Sequence, residues 1–409
     1  MTNRYLSRLV ILTVGLLYLP VQFVSADSPA VSNVRASQRA QAQSVDIFYD
    51  LASTDGGPFS VSVEVSTNNG TTYDLPASSF SGNGVGDAVT SGTRKQIVWA
   101  AGSDWPGQYS SAVRFKVMAN EKIVIFSMVP IPAGSNNGTN PLGEGEGYSD
   151  AYPATYSLMV SAFYMDRTEV TKAQWDMVYN WAITNGYVFD NVGSCYNGTN
   201  YSKGGDHPVT YVNWYDCLKW CNARSERDGR PVAYWQGGAV YRSGTNDAII
   251  CDMDAAGYRL PTETEWEYAA RGGLSSRRFP WGDEISHDWA NYYSIWVDGV
   301  PKNSYDKATT SGFHAMYNDG IMPYTSPVGS FSPNGYGLYD MAGNLYEWCC
   351  DWDPISEGAV CSYRGGAWHL YGLNSIWVSG CRIGQHRDGN PAIAPNDVVG
   401  LRAVLPLGQ

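Results

Sequence analysis

Charge is scarce in this chain: 16% of its 409 residues are Asp, Glu, Lys or Arg, and 27 basic residues are outnumbered by 39 acidic ones. A net charge of −12 leaves no general basic surface for phosphate groups, which excludes nucleic acid as an expected partner. Histidine is rarer still. His207, His287, His314, His369 and His386 are spread so widely that no two form a close ligand pair. No Gly-x-Ser-x-Gly elbow is present, so an α/β-hydrolase nucleophile has no local signature. Beyond the first residues no apolar run reaches eighteen, which removes any later candidate for a membrane span. Glycine and large aromatics are plentiful instead, with 44 Gly, 15 Trp and 29 Tyr, a composition unlike that of a helical bundle. At roughly 100–200 residues per domain, two or three domains are expected.

Arg4 and Arg8 precede an apolar stretch from Leu9 to Leu19, broken by Thr13, Gly15 and Tyr18, and Val24-Ser25-Ala26 stands before Asp27. A basic start, a short apolar run and small residues at the end read as a secretory signal over 1–26; an uncleaved anchor is the competing reading. Export to a periplasmic, cell-surface or extracellular location follows, with no membrane span once the signal is cleaved. The eight cysteines then lie where disulfides can form, but 105 complete pairings are open to them. Asn69, Asn137, Asn197 and Asn200 begin Asn-x-Ser/Thr sequons and indicate surface loops.

Residues 27–121 lack cysteine and carry strand-like runs at Val45–Tyr49, Val61–Val65, Gln96–Trp99 and Ala112–Val117. Asn68-Asn69-Gly70 predicts a hairpin turn leading into Thr71-Thr72-Tyr73. Short strands with Gly and Ser turns predict an all-β sandwich of immunoglobulin or fibronectin type, serving as a spacer. Residues 122–409 have a different grammar of short capped helices between long aromatic loops. Thr171 with Gln174, and Thr262 with Glu265, have the spacing of capping boxes. Asn213 opens another helix, and Gly186, Gly229 and Gly272-Gly273 mark the three ends.

Within this second region, Tyr258-Arg259-Leu260-Pro261-Thr262-Glu263-Thr264-Glu265-Trp266-Glu267-Tyr268 resembles the signature of the formylglycine-generating, sulfatase-modifying family. So do Phe279-Pro280-Trp281-Gly282, Asn334-Gly335-Tyr336-Gly337-Leu338-Tyr339-Asp340, Ala342-Gly343-Asn344-Leu345-Tyr346-Glu347-Trp348, Arg364-Gly365-Gly366-Ala367-Trp368 and Gly400-Leu401-Arg402. The resemblance spans about 124–407 and keeps the family's order. It implies an α+β domain with little regular secondary structure, a C-type-lectin-like fold and structural calcium. Residues 226–256 resemble an insertion, read as a surface lobe.

The resemblance places one calcium site at Asp340, the carbonyls of Gly343 and Leu345, and Glu347. It places another at Asn291, the carbonyl of Tyr292, Asp319 and the carbonyl of Ile321. Hard oxygens drawn from carboxylates and bent backbone suit Ca2+. On spacing alone, two acids seven residues apart are an ordinary solvated loop.

Catalytic relatives, as the resemblance implies, hold Cu(I) on two cysteines after the Arg-Gly-Gly motif and convert a substrate cysteine to formylglycine with O2. Here those positions fall at Leu370 or Tyr371 and at Ser375 or Ile376. No cysteine occurs between Ser362 and Gly380. Cu(I) requires soft thiolates, so the sequence predicts no catalytic residues and no copper. Other cysteines offer little rescue: Cys349 and Cys350 should point to opposite faces of a strand. Ala270 and Ala403 occupy the positions of two disulfide partners of the family, whose other halves match Cys221 and Cys381. The expected function is a pseudoenzyme that binds a peptide, protein or glycan in a groove lined by Trp368, His369, Tyr371 and Trp377. The alternatives are a surviving formylglycine-generating oxidase and a purely structural surface-layer or matrix component.

Overall fold

A computed structural model describes residues 29–39, 42–53, 59–89, 91–121, 126–141, 155–195, 203–245, 248–353, 360–369, 378–390 and 397–407. The predicted signal and two of the sequons, Asn197 and Asn200, lie outside the described residues, as do Leu370, Tyr371, Ser375, Ile376 and Trp377.

The N-terminal unit forms two antiparallel sheets. One runs Ala30–Gln38, Val45–Ala52, Gly92–Trp99, Phe80–Ser81 in spatial order; the other runs Gly86–Val89, Phe59–Ser66, Arg114–Glu121. Alternation along each strand sends Ile47, Tyr49, Leu51, Ile97 and Trp99 from the first sheet and Phe59, Val61, Val65 and Val117 from the second into one apolar cluster. A short helix, α1 (Ala101–Asp104), follows the first sheet. At the predicted hairpin Asn69 and Gly70 take positive φ as a tight turn requires, but Thr71–Tyr73 is not a strand. Asn68 explains this: its side chain bonds the Thr72 amide and hydroxyl, winding the chain into a loop that bridges to the sheet at Leu75 and lays the Tyr73 ring against Lys116.

In the C-terminal domain the strand Phe163–Asp166 pairs on one side with Met128–Ile131 and on the other with Val404–Pro406, bringing both ends of the domain into one sheet. A second sheet has the order His386–Gly389, Val360–Arg364, Tyr346–Asp353, Val399–Gly400, with the last pair parallel. Three longer helices form where their caps predict. These are α2 (Lys172–Thr184), α3 (Trp214–Arg227) and α4 (Glu263–Ala270). Thr171 and Thr262 complete reciprocal capping boxes, and the Asn213 side chain accepts from the Asp216 amide.

Distant sequence motifs lock one another around α4. Arg259 grips Glu265 through two bonds of 2.6 and 2.7 Å, and Arg364 reaches Glu263 and Glu267. The Asn334 amide donates to the carbonyls of Ala269 and Ala270, closing the helix's open end. The 226–256 segment folds as a small sheet of Tyr234–Gln236, Ala239–Val240 and Ile249–Cys251, and it sends Tyr234 and Tyr241 into the main core. Among the described residues no helix is long and apolar enough to cross a membrane.

Candidate functional site

Four charged side chains from distant parts of the sequence meet in the interior of the C-terminal domain: Glu169, Asp340, Glu347 and Arg402, none more than 7% exposed. Arg402 clasps both oxygens of Glu347 through bonds of 2.8–3.1 Å and also donates to the carbonyls of Asp166 and Tyr339. The Trp266 indole gives Glu347 a further bond of 2.7 Å. Asp340 has a left-handed backbone, φ 56°, and its Oδ2 accepts from the Gly329 amide at 2.6 Å. Glu169 Oε2 accepts from the Asn344 side chain at 3.2 Å. The remaining oxygens, Asp340 Oδ1 and Glu169 Oε1, are buried without a hydrogen-bond partner among the described residues.

Three carboxyl groups thus share one guanidinium. Burial, then repulsion from Asp340 and Glu347, pushes the Glu169 carboxyl well above the ordinary carboxylate range. Burial pushes Asp340 up to about 6, against the pull of the Gly329 amide and Arg402. Orphaned oxygens and raised pKa values together describe a buried site short of positive charge. Hard oxygen donors of this kind fit a divalent cation such as calcium, and they do not fit a soft one. Among the described residues no set of three His, Cys, Asp or Glu side chains is arranged to hold a metal. A cation here would therefore depend on backbone carbonyls as well as carboxylates.

Of the residues expected to form this site, Asp340 and Glu347 lie close enough to repel one another, and the turn between them is tight. Gly343 has φ +83°, and a Cβ there would come within 2.5 Å of the Asn291 carbonyl oxygen, so only glycine fits. Glu169 is the member that sequence reasoning missed. It lies two residues before the Thr171 cap, and nothing in that spacing signals burial. The other expected residues make contacts of their own. Asn291 donates to the Tyr324 carbonyl and to Asn344, while the Tyr292 carbonyl accepts from the His287 ring. Asp319 is paired with Lys203 at 2.6 Å and accepts from the Ile321 amide.

Asn344 links the acidic centre to an aromatic cluster. Its side chain bonds Glu169 and Ser326, and its carbonyl accepts from the Trp368 amide at 2.9 Å. Trp368 is almost wholly buried and donates its indole N–H to the Asp397 carbonyl. Its ring and those of Tyr293, Phe313, Tyr324 and His369 pack in mutual contact, with centroids 4.7–5.7 Å apart. Trp368 and His369 were legible from the sequence. Tyr293, Phe313 and Tyr324 come from loops with no periodicity and were not.

The thiols divide among the apolar cores, and Cys361 shares one with Trp368. Cys349, Cys361 and Cys381 each belong to a different apolar core, and Cys350 packs against the same core as Cys361. Burial raises the Cys349 and Cys350 thiols well above their usual value and pushes Cys381 up to about 12. Such groups stay protonated at neutral pH and are poor nucleophiles and metal ligands.

Residues 114–407 match the family model described as the sulfatase-modifying factor enzyme 1-like domain. Formylglycine-generating enzyme from Mus musculus is 32% identical over 266 residues, covering 60% of this chain and 66% of its own length. Inactive C-alpha-formylglycine-generating enzyme 2 from Bos taurus is 41% identical over 164 residues, 40% of this chain and 39% of its own. The chain thus spans less than two thirds of these relatives. The crystal structure of CarF superposes with a TM-score of 0.52 at 25% identity, covering 69% of this chain and 99% of CarF.

Proposed function

Because this chain belongs to the family of sulfatase-modifying factor enzyme 1-like domains, we propose that it is an exported, calcium-stabilised binding module of that family without copper oxidase activity. The observation that carries this reading is the chain from Ser362 to Gly380, which contains no cysteine. Cu(I) is held by soft sulfur, and Leu370 or Tyr371 and Ser375 or Ile376 supply none. The remaining thiols do not replace them, since Cys349 and Cys381 lie in different cores from Cys361 and burial raises the Cys349, Cys350 and Cys381 thiols. Relatives named as the enzyme and as inactive both match. The choice between the two readings therefore rests on these residues.

The scaffold, read as C-type-lectin-like, presents the half-buried rings of Tyr293, Phe313, Tyr324 and His369, packed on Trp368, as the recognition surface for a peptide or glycan. With Glu169 as a neighbouring acid, Ca2+ is assigned to Asp340, Glu347 and the Gly343 and Leu345 carbonyls. Its charge would relieve the repulsion between the acids. Through Asn344, it would also fix the backbone that carries Trp368. A second Ca2+ site is proposed at Asn291, Tyr292, Asp319 and Ile321, with the Asp319 carboxylate shared with Lys203. The N-terminal sheets are read as an immunoglobulin- or fibronectin-like sandwich.

Copper titration and oxygen-uptake measurements with a Cys-x-Pro-x-Arg peptide test this reading. We expect no tight Cu(I) binding and no turnover, with Phe313→Ala weakening whatever peptide or glycan binds. Tight copper together with aldehyde formation would overturn it.

A further inference from the structure

We propose that the N-terminal unit carries its own binding site for a neutral saccharide, in the cavity between the strand Ala30–Gln38 and the loop that follows α1. The strand is at the edge of its sheet: among the described residues it pairs only with Val45–Ala52, and its other side approaches Arg114–Glu121 of the second sheet. The loop from Trp105 to Val113 folds beside that side and encloses about 330 Å³. This is the lower end of the ~300–1,000 Å³ range of small-ligand sites.

The lining is chemically specific. Trp105, Tyr109 and Phe115 supply rings; Gln38, Gln108 and Ser111 supply amides and a hydroxyl. Among the described residues no Asp, Glu, Lys, Arg or His lines the cavity. Two of the charges close to it are already committed. Arg39 is bound by both oxygens of Asp46, and Asp104 accepts from the Trp99 indole and from Ser78 and Ser79. A phosphate, a sulfated sugar or a charged peptide end would meet no counter-charge, so the neutral lining disfavours each of them.

A purely apolar ligand would leave the amides and the hydroxyl unpaired. A neutral sugar matches both halves: its C–H faces stack on aromatic rings, and its hydroxyls, each donor and acceptor, pair with carboxamides and serine. Tyr109 is 81% exposed at the rim, so its ring is free to stack on a ligand. This inference is independent of the reading of the C-terminal domain.

The test uses the full chain, titrated by calorimetry and tryptophan fluorescence with neutral trisaccharides of glucose, xylose, mannose and N-acetylglucosamine. A sulfated disaccharide and a proline-rich peptide run alongside. We expect saturable binding of at least one neutral sugar, weakened at least tenfold by Tyr109→Ala and by Gln108→Leu with unchanged thermal melting. Phe313→Ala, in the C-terminal aromatic cluster, should leave that binding intact. The proposal is overturned if no neutral sugar binds at millimolar concentration, if the sulfated sugar or the peptide binds more tightly, or if Phe313→Ala abolishes binding that Tyr109→Ala spares.

Discussion

Asp340→Asn offers a direct measure of the charge imbalance in the acidic centre. Asparagine has the same shape, tolerates the left-handed backbone at this position and can still accept from the Gly329 amide. In the fold the Asp340 carboxyl is raised to about 6 from 3.8. The folded state therefore holds a proton that the unfolded chain has already released. Its contribution to stability is intact below about pH 4 and is lost as pH rises through the window up to about 6. At 1.36 kcal/mol per unit, this loss is about 3 kcal/mol at pH 7. In EDTA the variant should match the parent at pH 4 and exceed it at pH 7. At ~2.1 cal/mol/K per residue over a domain of about 290 residues, the gain is on the order of 5 °C.

Calcium should reverse the ranking. At a thousandfold excess over Kd it would stabilise the parent at pH 7 by about 4 kcal/mol, and it would do much less for the variant. Thermal melts followed by circular dichroism at pH 4–7, with calcium or EDTA, read both effects. A parent protein whose Tm ignores calcium, or a variant no more stable than the parent at pH 7 in EDTA, would refute the reasoning.

Other consequences can be checked independently. Arg402→Ala would leave Glu347 buried without its partner and should cost about 3–5 kcal/mol in urea unfolding. Thr262→Ala removes the cap of α4 and should cost about 1 kcal/mol in the same assay. Gly343→Ala forces a left-handed backbone and a Cβ against the Asn291 carbonyl, so it should destabilise by more than the ~1 kcal/mol typical of a surface glycine change. Native protein treated with iodoacetamide at pH 8 should show negligible labelling of Cys349 and Cys381 by mass spectrometry, with rapid labelling once denaturant is added.

What could be read from the chain was local. Thr171, Asn213 and Thr262 announced three helices because a cap and its partner lie within three residues, and alternation at Val45–Tyr49 and Val61–Val65 announced strands for the same reason. The motif around Asp340 and Glu347 marked the acidic turn through its resemblance to a family. What escaped was long-range. Glu169 enters the acidic centre across 175 residues to reach Asn344, and the five-ring cluster draws on residues from 293 to 369. No period connects such positions, since each contact depends on how loops are laid over the finished core. The failed strand at Thr71–Tyr73 is the reverse case, where one side chain, Asn68, competed successfully with pairing.

The sheet that joins Phe163–Asp166 to Val404–Pro406 also sets a schedule for biogenesis. Arg402 meets Asp166 across 236 residues, so while a ribosome is still extending the chain, the interior acids have no guanidinium to balance them. Nascent C-terminal domain must therefore wait, incompletely packed, until translation has passed residue 406. The N-terminal sheets contain all their own partners by residue 121 and need not wait.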